Sequence, residues 1–277
     1  MTRSRPAQML RVVALRALLV ALAAIAAGPV VWAAFGSLKQ GRDITTRPFA
    51  LPRPPTLRNY GTAVEAGLLW QWLHSVLLTS VCVLLVLLLA SLASYAFSRL
   101  SFRGRAPLRT LLLSGMMVPV HAVLIPLFVA AGRMGLAGSP ISLVGPYVAF
   151  SLPLSVLLLT TYFAEVPREI EDAARLDGCS DLRFWWHVLI PMARNGLITV
   201  GILQGVWIWN EYPMALVMLT RSWKTLPVGL AAFKGQYHAD WGAVLAGLVI
   251  VAVPLLALFF AFQRWIVRGM TAGAVKS

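Results

Sequence analysis

The sequence predicts an all-α membrane protein: a bundle of six transmembrane helices, with a cytoplasmic helix between the fourth and fifth. Three observations carry that expectation. Hydrophobic residues make up 59% of the chain and charged residues only 12%, and the mean hydropathy is +0.77. Water-soluble domains are nearer half apolar and a quarter charged, so much of this apolar surface has to face something other than water. The apolar residues also fall into six long stretches, each near the ~20 residues that a helix needs to cross a bilayer core. The basic residues gather in the short segments between those stretches, as loops at a charged membrane surface do.

The stretches are Val12–Phe35, Leu73–Phe97, Leu108–Ala131, Ile141–Ala164, Leu197–Leu219 and Ala243–Val267, read as one transmembrane domain over residues 1–277. The first follows Arg3, Arg5, Arg11 and Arg16 and so has the outline of a signal peptide. Its apolar part is longer than a signal h-region and no small-residue cleavage site leads into a soluble domain, so it is expected to stay as the first span. None of the stretches alternates polar with apolar residues, which removes the barrel signal. Pro119, Pro126, Pro153 and Pro254 fall within spans and are expected to kink them locally. Between the first two spans lies a segment with Pro48, Pro52, Pro54 and Pro55, expected to run extended at the surface.

Lys and Arg counts orient the bundle. With the N-terminus inside, the inner segments hold fifteen basic residues, including Arg99, Arg103, Arg105, Arg168, Arg175, Arg264 and Lys276. The outer segments hold nine: Lys39, Arg42, Arg47, Arg53, Arg58, Arg133, Arg221, Lys224 and Lys234. That asymmetry favours both termini in the cytoplasm of a multi-pass membrane protein, with the first outer loop as its exception. The same distribution excludes nucleic acid as the reason for the net charge of +14, because a nucleic-acid face collects its cations on one folded surface.

Six of the ten acidic residues, Glu165, Glu169, Glu171, Asp172, Asp177 and Asp181, lie in one window between the fourth and fifth spans. The window reads as a short helix. Pro167 suits its first position, where a missing N–H costs nothing. Glu169, Glu171 and Asp172 favour the positive end of the helix dipole. Glu171 and Arg175 stand four apart in the better order for an ion pair. Gly178 is placed to take the left-handed conformation that stops a helix. Ile170, Ala173, Ala174 and Asp177 are expected on one face, where two alanines let another surface come close.

Asp172-Ala173-Ala174, three residues, Gly178, nine residues, then Val188-Leu189-Ile190-Pro191 is a long gapped pattern over residues about 165–195. It resembles the EAA loop of binding-protein-dependent ABC importer permeases, with Asp172, Val188 and Ile190 as conservative departures. The likeness continues in the loop after the first span, in Phe102-Arg103-Gly104-Arg105, in Trp209-Asn210-Glu211-Tyr212 and in the tail from Gly269. Together these resemble the maltose-type carbohydrate permeases, on the side of the G-like partner of the heterodimer. The resemblance implies that the window is a coupling helix seated on an ATPase, through Glu171, Asp172, Ala173, Ala174, Asp177, Gly178 and Pro191. It also implies a second homologous permease subunit, two ATPase subunits and an extracytoplasmic solute-binding protein as partners, alongside the lipid bilayer. The chain contains no Gly-Lys pair and hence no phosphate-cradling loop of its own, so ATP and Mg²⁺ are expected on the partner ATPase, with no cofactor in this chain.

Trp207, Asn210 and Glu211 are the candidates for the solute path, since an ionisable residue at membrane depth is a functional hypothesis by default. An interfacial aromatic belt explains the same residues without a solute. His74, His121, His187 and His238 are scattered, and Cys82 and Cys179 form no ligand pattern, so no metal site and no catalytic set are expected. The function expected is solute translocation by an ATP-driven sugar importer, not an enzyme activity. A permease for a polyamine or glycerol phosphate, and an ion-coupled secondary carrier, are the competing readings.

Overall fold

The computed structural model describes residues 5–220, 222–233 and 240–274. Arg3, Arg221, Lys234, His238 and Lys276, used in the sequence readings, lie outside them. Among the described residues the structure is helical, without strands beyond one isolated bridge between Gly138 and Leu219.

Four helices are each long and apolar enough to cross a membrane: Val12–Ser37, Leu68–Arg99, Ile141–Ala164 and Trp241–Ala261. Among the described residues two bent helix pairs also pass that test together, which makes six crossings when each pair is taken as one span. The third expected span is broken into Arg105–Met117 and Val120–Arg133, which meet at 91°. Pro119 explains the break. It offers no N–H to the preceding turn, and its ring drives Val118 out of the helical region, to φ −80° and ψ 114°. The fifth is broken too, into Asp181–Met192 and Arg194–Asn210 at 79°. Here Pro191 follows a π-turn over Trp185–Leu189, a common way for a helix to absorb a missing donor. The second half ends at Asn210, short of the expected Leu219, and a separate helix covers Pro213–Met218.

The chain forms two compact units: Met1–Leu69 with Leu230–Pro254, and Trp70–Gly229 with Leu255–Ser277. In the first, the Val12–Ser37 span is almost wholly exposed, as a lipid- or partner-facing helix is. The segment after it is folded rather than extended: the Asn59 amide donates to the carbonyls of Ser37 and Lys39 at 2.7 Å each.

In the second unit the second, fourth and fifth spans share three apolar clusters. Leu78, Cys82, Tyr147 and Ile208 meet in one, Ala90, Val156 and Val200 in the next, and Tyr95, Phe163, Phe184 and Trp185 in the last. Small hydroxyls let the backbones approach, as they do between helices in lipid. Ser94 on the second span donates to the Val156 carbonyl on the fourth at 3.2 Å. His74 stacks on Trp223 with ring centroids 4.2 Å apart, and Ser75 accepts from the Leu226 N–H at 2.8 Å, tying that loop to the second span.

Two glycines of the fifth span separate a tight contact from an ordinary one. A Cβ on Gly196 would sit 2.5 Å from the Tyr162 ring, whereas one on Gly201 would meet Leu87 at 3.5 Å. Gly196→Ala is therefore expected to destabilise the protein by about 1–3 kcal/mol through overpacking. Gly201→Ala should be neutral or stabilising by up to about 1 kcal/mol, since alanine is the better helix former. Thermal unfolding in detergent micelles, compared for the two, checks the pair.

Candidate functional site

The acidic window folds as expected into a short helix, Arg168–Leu176. Pro167 stands one residue earlier than expected, at the N-cap, with extended ψ. The C-terminus is closed by Gly178 at φ +79°. Its N–H reaches the Arg175 carbonyl at 3.0 Å, and the Cys179 N–H reaches Ala174 at 2.9 Å. These are the two crossed bonds of a Schellman motif, which needs a residue tolerant of positive φ at that position. Cys179, Ala174 and Ile170 then pack together against the Tyr95–Phe184 cluster.

That packing corrects the face read from the sequence. Ile170 and Ala174 turn inward, while Asp172, Ala173, Asp177 and Gly178 are exposed. Leu176 is 89% exposed and had not been singled out at all. Glu171 also turns inward and is buried. Its carboxylate takes the Arg175 guanidinium at 2.9 Å, as its spacing suggested, and Arg99 at 3.5 Å. The carboxylates of Asp181 and then Glu171 raise the pKa of Arg175 further.

Arg99 is the residue that sequence reasoning missed. It ends the second span with its side chain buried, and donates to the carbonyls of Phe163 and Val166 at the end of the fourth. One side chain thus ties two span ends to the acidic helix. Its only sequence signal is that it is the first charge after a long apolar run, ahead of Arg103 and Arg105, so its head has to lie at the membrane edge. The partners are more than sixty residues away and leave no local mark.

The second candidate region is the gap after Asn210. Glu211 is buried, and its carboxylate accepts the N–H groups of Met214 at 2.8 Å and Ala215 at 3.1 Å, together with the Tyr147 hydroxyl. It therefore caps the Pro213–Met218 helix, whose first N–H groups have no partner within the helix. Trp207 is half-buried and meets the Tyr147 ring edge to face at 5.9 Å. Asn210 is exposed, and its amide donates to its own helix at Val206. The three residues proposed for a solute path thus divide: Asn210 and part of Trp207 are open, while the carboxylate of Glu211 is occupied by backbone and Tyr147. Pro191 is exposed at the bend of the fifth span, far along the chain from Glu211.

A helical bundle whose spans are broken at prolines, with a capped amphipathic helix locked to two span ends, has the organisation of a multi-pass transport subunit. The comparisons with known proteins make the assignment specific. Residues 86–272 match the family described as binding-protein-dependent transport system inner membrane component. The chain belongs to that family. A sulfoquinovosyl glycerol transport system permease of Agrobacterium fabrum is 34% identical over 251 residues, covering 90% of this chain and 88% of that protein. A diacetylchitobiose uptake system permease of Streptomyces coelicolor is 32% identical over 265 residues, covering 94% and 87%. In fold, the crystal structure of a bacterial ABC transporter that imports the acidic polysaccharide alginate superposes with a TM-score of 0.81. That match covers 95% of this chain and 99% of the other at 24% identity.

Two outcomes test these sites. Arg99→Gln leaves Glu171 without its buried cation and two span-end carbonyls without a donor. It should cost about 3–5 kcal/mol, the usual loss when one member of a buried pair is removed, and Arg99→Lys should recover only part of it. Limited proteolysis across residues 165–181, beside thermal unfolding, reads the effect. For Glu211, a double-mutant cycle with Tyr147→Phe and Glu211→Gln should give a coupling of about 0.5–3 kcal/mol. Strict additivity would show that the two groups act independently.

Proposed function

We propose that this chain is the membrane-spanning permease subunit of an ATP-driven sugar importer. It pairs with a second, homologous permease and receives solute from an extracytoplasmic binding protein. Two ATPase subunits, which hold ATP and Mg²⁺, drive it from the cytoplasmic side. The observation that carries this reading is the acidic helix: it is fixed rigidly from within by Arg99 and Glu171, yet presents Asp172, Ala173, Leu176 and Asp177 to a partner. A helix held to two span ends can pass a partner's displacement to both of them. The charge asymmetry supports placing this helix and both termini in the cytoplasm.

Sugar is the solute class that the relatives support. One carries sulfoquinovosyl glycerol, another diacetylchitobiose, and the structural neighbour alginate. Asn210 and Trp207 offer a hydrogen-bonding amide and a ring, the usual chemistry for a sugar, while Glu211 caps the helix that follows them. Use of Glu211 as an ion carrier, which a secondary carrier would need, fits poorly with a carboxylate already holding two amides and a hydroxyl.

Leu176 makes the docking reading testable. Full burial of a leucine is worth about 2 kcal/mol, so Leu176→Asp should weaken ATPase binding about 30-fold. Expression and unfolding temperature should stay unchanged, because the residue is 89% exposed within this chain. Co-purification of the ATPase and solute-stimulated hydrolysis are the measurements. Wild-type values for both would leave the helix an ordinary capped loop.

A further inference from the structure

Transport leaves the first loop unexplained. Its five basic residues, Lys39, Arg42, Arg47, Arg53 and Arg58, run against the charge asymmetry of the rest of the chain. The structure gives them a setting. Lys39 is 3% exposed, and its ammonium donates to the carbonyls of Arg47 at 2.9 Å and Pro48 at 2.8 Å. One N–H remains, and no carboxylate among the described residues pairs with it. Burying a cation without a counter-charge is costly, so a site of this kind favours an anion.

The same Pro48 carbonyl accepts the indole N–H of Trp32 at 3.0 Å. Trp32 lies five residues before the end of its helix at Ser37, about 7.5 Å back along the apolar span at ~1.5 Å per residue. The loop therefore folds back over the membrane end of that helix, at the level where tryptophans anchor to the interface. Beside Pro48, Phe49 is 90% exposed and Leu51 60% exposed. Next to them opens a cavity of about 320 Å³ lined by Lys39, Asp43, Arg47, Ala50, Leu51 and Arg53. Three cations there face one carboxylate, and the guanidinium groups of Arg47 and Arg53 form no ion pair among the described residues.

We propose that this cavity binds the phosphate headgroup of an anionic phospholipid, with its acyl chains against Phe49 and Leu51. The ligand has to be amphipathic. A soluble anion would use the cations but give Phe49 and Leu51 nothing to cover them, and an apolar partner would leave Lys39 uncompensated. Membrane depth, cationic lining and exposed apolar side chains coincide only for a lipid headgroup and its first methylenes. The inference does not depend on which solute is carried.

Native mass spectrometry of the full chain in detergent, titrated with phosphatidylglycerol or with phosphatidylcholine, tests it. One phosphatidylglycerol should be retained in preference to phosphatidylcholine. Arg47→Gln and Arg53→Gln, which leave Lys39 and the hydrogen bonds of the loop in place, should each weaken retention about fivefold and together about 25-fold. Phe49→Ser should weaken both lipids. Equal retention of the two lipids, or an unaffected double variant, would overturn the proposal. Inorganic phosphate held in place of lipid would assign the cavity to a free anion. A double variant that keeps its lipid but loses capture of its solute-binding protein would assign the loop to that protein.

Discussion

A guanidinium buried at the end of the second span organises the half of the molecule that meets its proposed ATPase. Arg99 is an expensive residue to bury, since desolvating a charge costs several kcal/mol and the cost is recovered only when its donors are filled. Two carbonyls from the end of the fourth span and the carboxylate of Glu171 fill most of them, leaving only Nε without a partner. The consequences run outward. With Glu171 drawn in, Ile170 and Ala174 must face the Tyr95–Phe184 cluster, and the helix can only present Asp172, Ala173 and Leu176 on its other side. What the outer face presents is thus set by an ion pair on the inner one.

A related constraint shapes the spans themselves. In an apolar surrounding every backbone N–H and C=O needs a partner inside the protein, so a break in a span has to be repaired where it occurs. Pro119 breaks the third span, the fifth bends at Ala193 just past Pro191, and a further gap follows Asn210. At that gap Glu211 supplies the acceptors that the next helix lacks, with the favourable sign for a helix N-terminus. Tyr147, fully buried on the fourth span, fixes the carboxylate from the other side. An ionisable residue at depth can therefore hold backbone in place while its neighbours, Asn210 and in part Trp207, stay open.

The first loop follows the same rule with a different remedy. Lys39 is buried, but backbone carbonyls rather than a carboxylate receive it, and the loop is folded back onto Trp32 by a carbonyl that serves both. What is left unneutralised faces an open cavity at the membrane edge.

Much of this was legible along the chain, because the signals are local. Hydropathy over some twenty residues marks a span, and four of the six stood where their apolar runs did. The capping of the acidic helix could be read from Gly178 and from the Glu171–Arg175 spacing, since both act within one turn. Residue type alone announced prolines that interrupt spans, yet not that Pro119 would turn the chain through 91°. The angle depends on what the two halves pack against. Nor could the sequence say which side of the acidic helix faces inward, for Ala173 and Ala174 are identical side chains and only the cluster beneath distinguishes them. Arg99 with Phe163 and Glu171, and Tyr147 with Glu211, join residues more than sixty positions apart. The local sequence determined where helices form and that their surface is apolar, through forces of short range. Tertiary structure alone decided which buried charge meets which partner, because that choice is made by spans packing side by side.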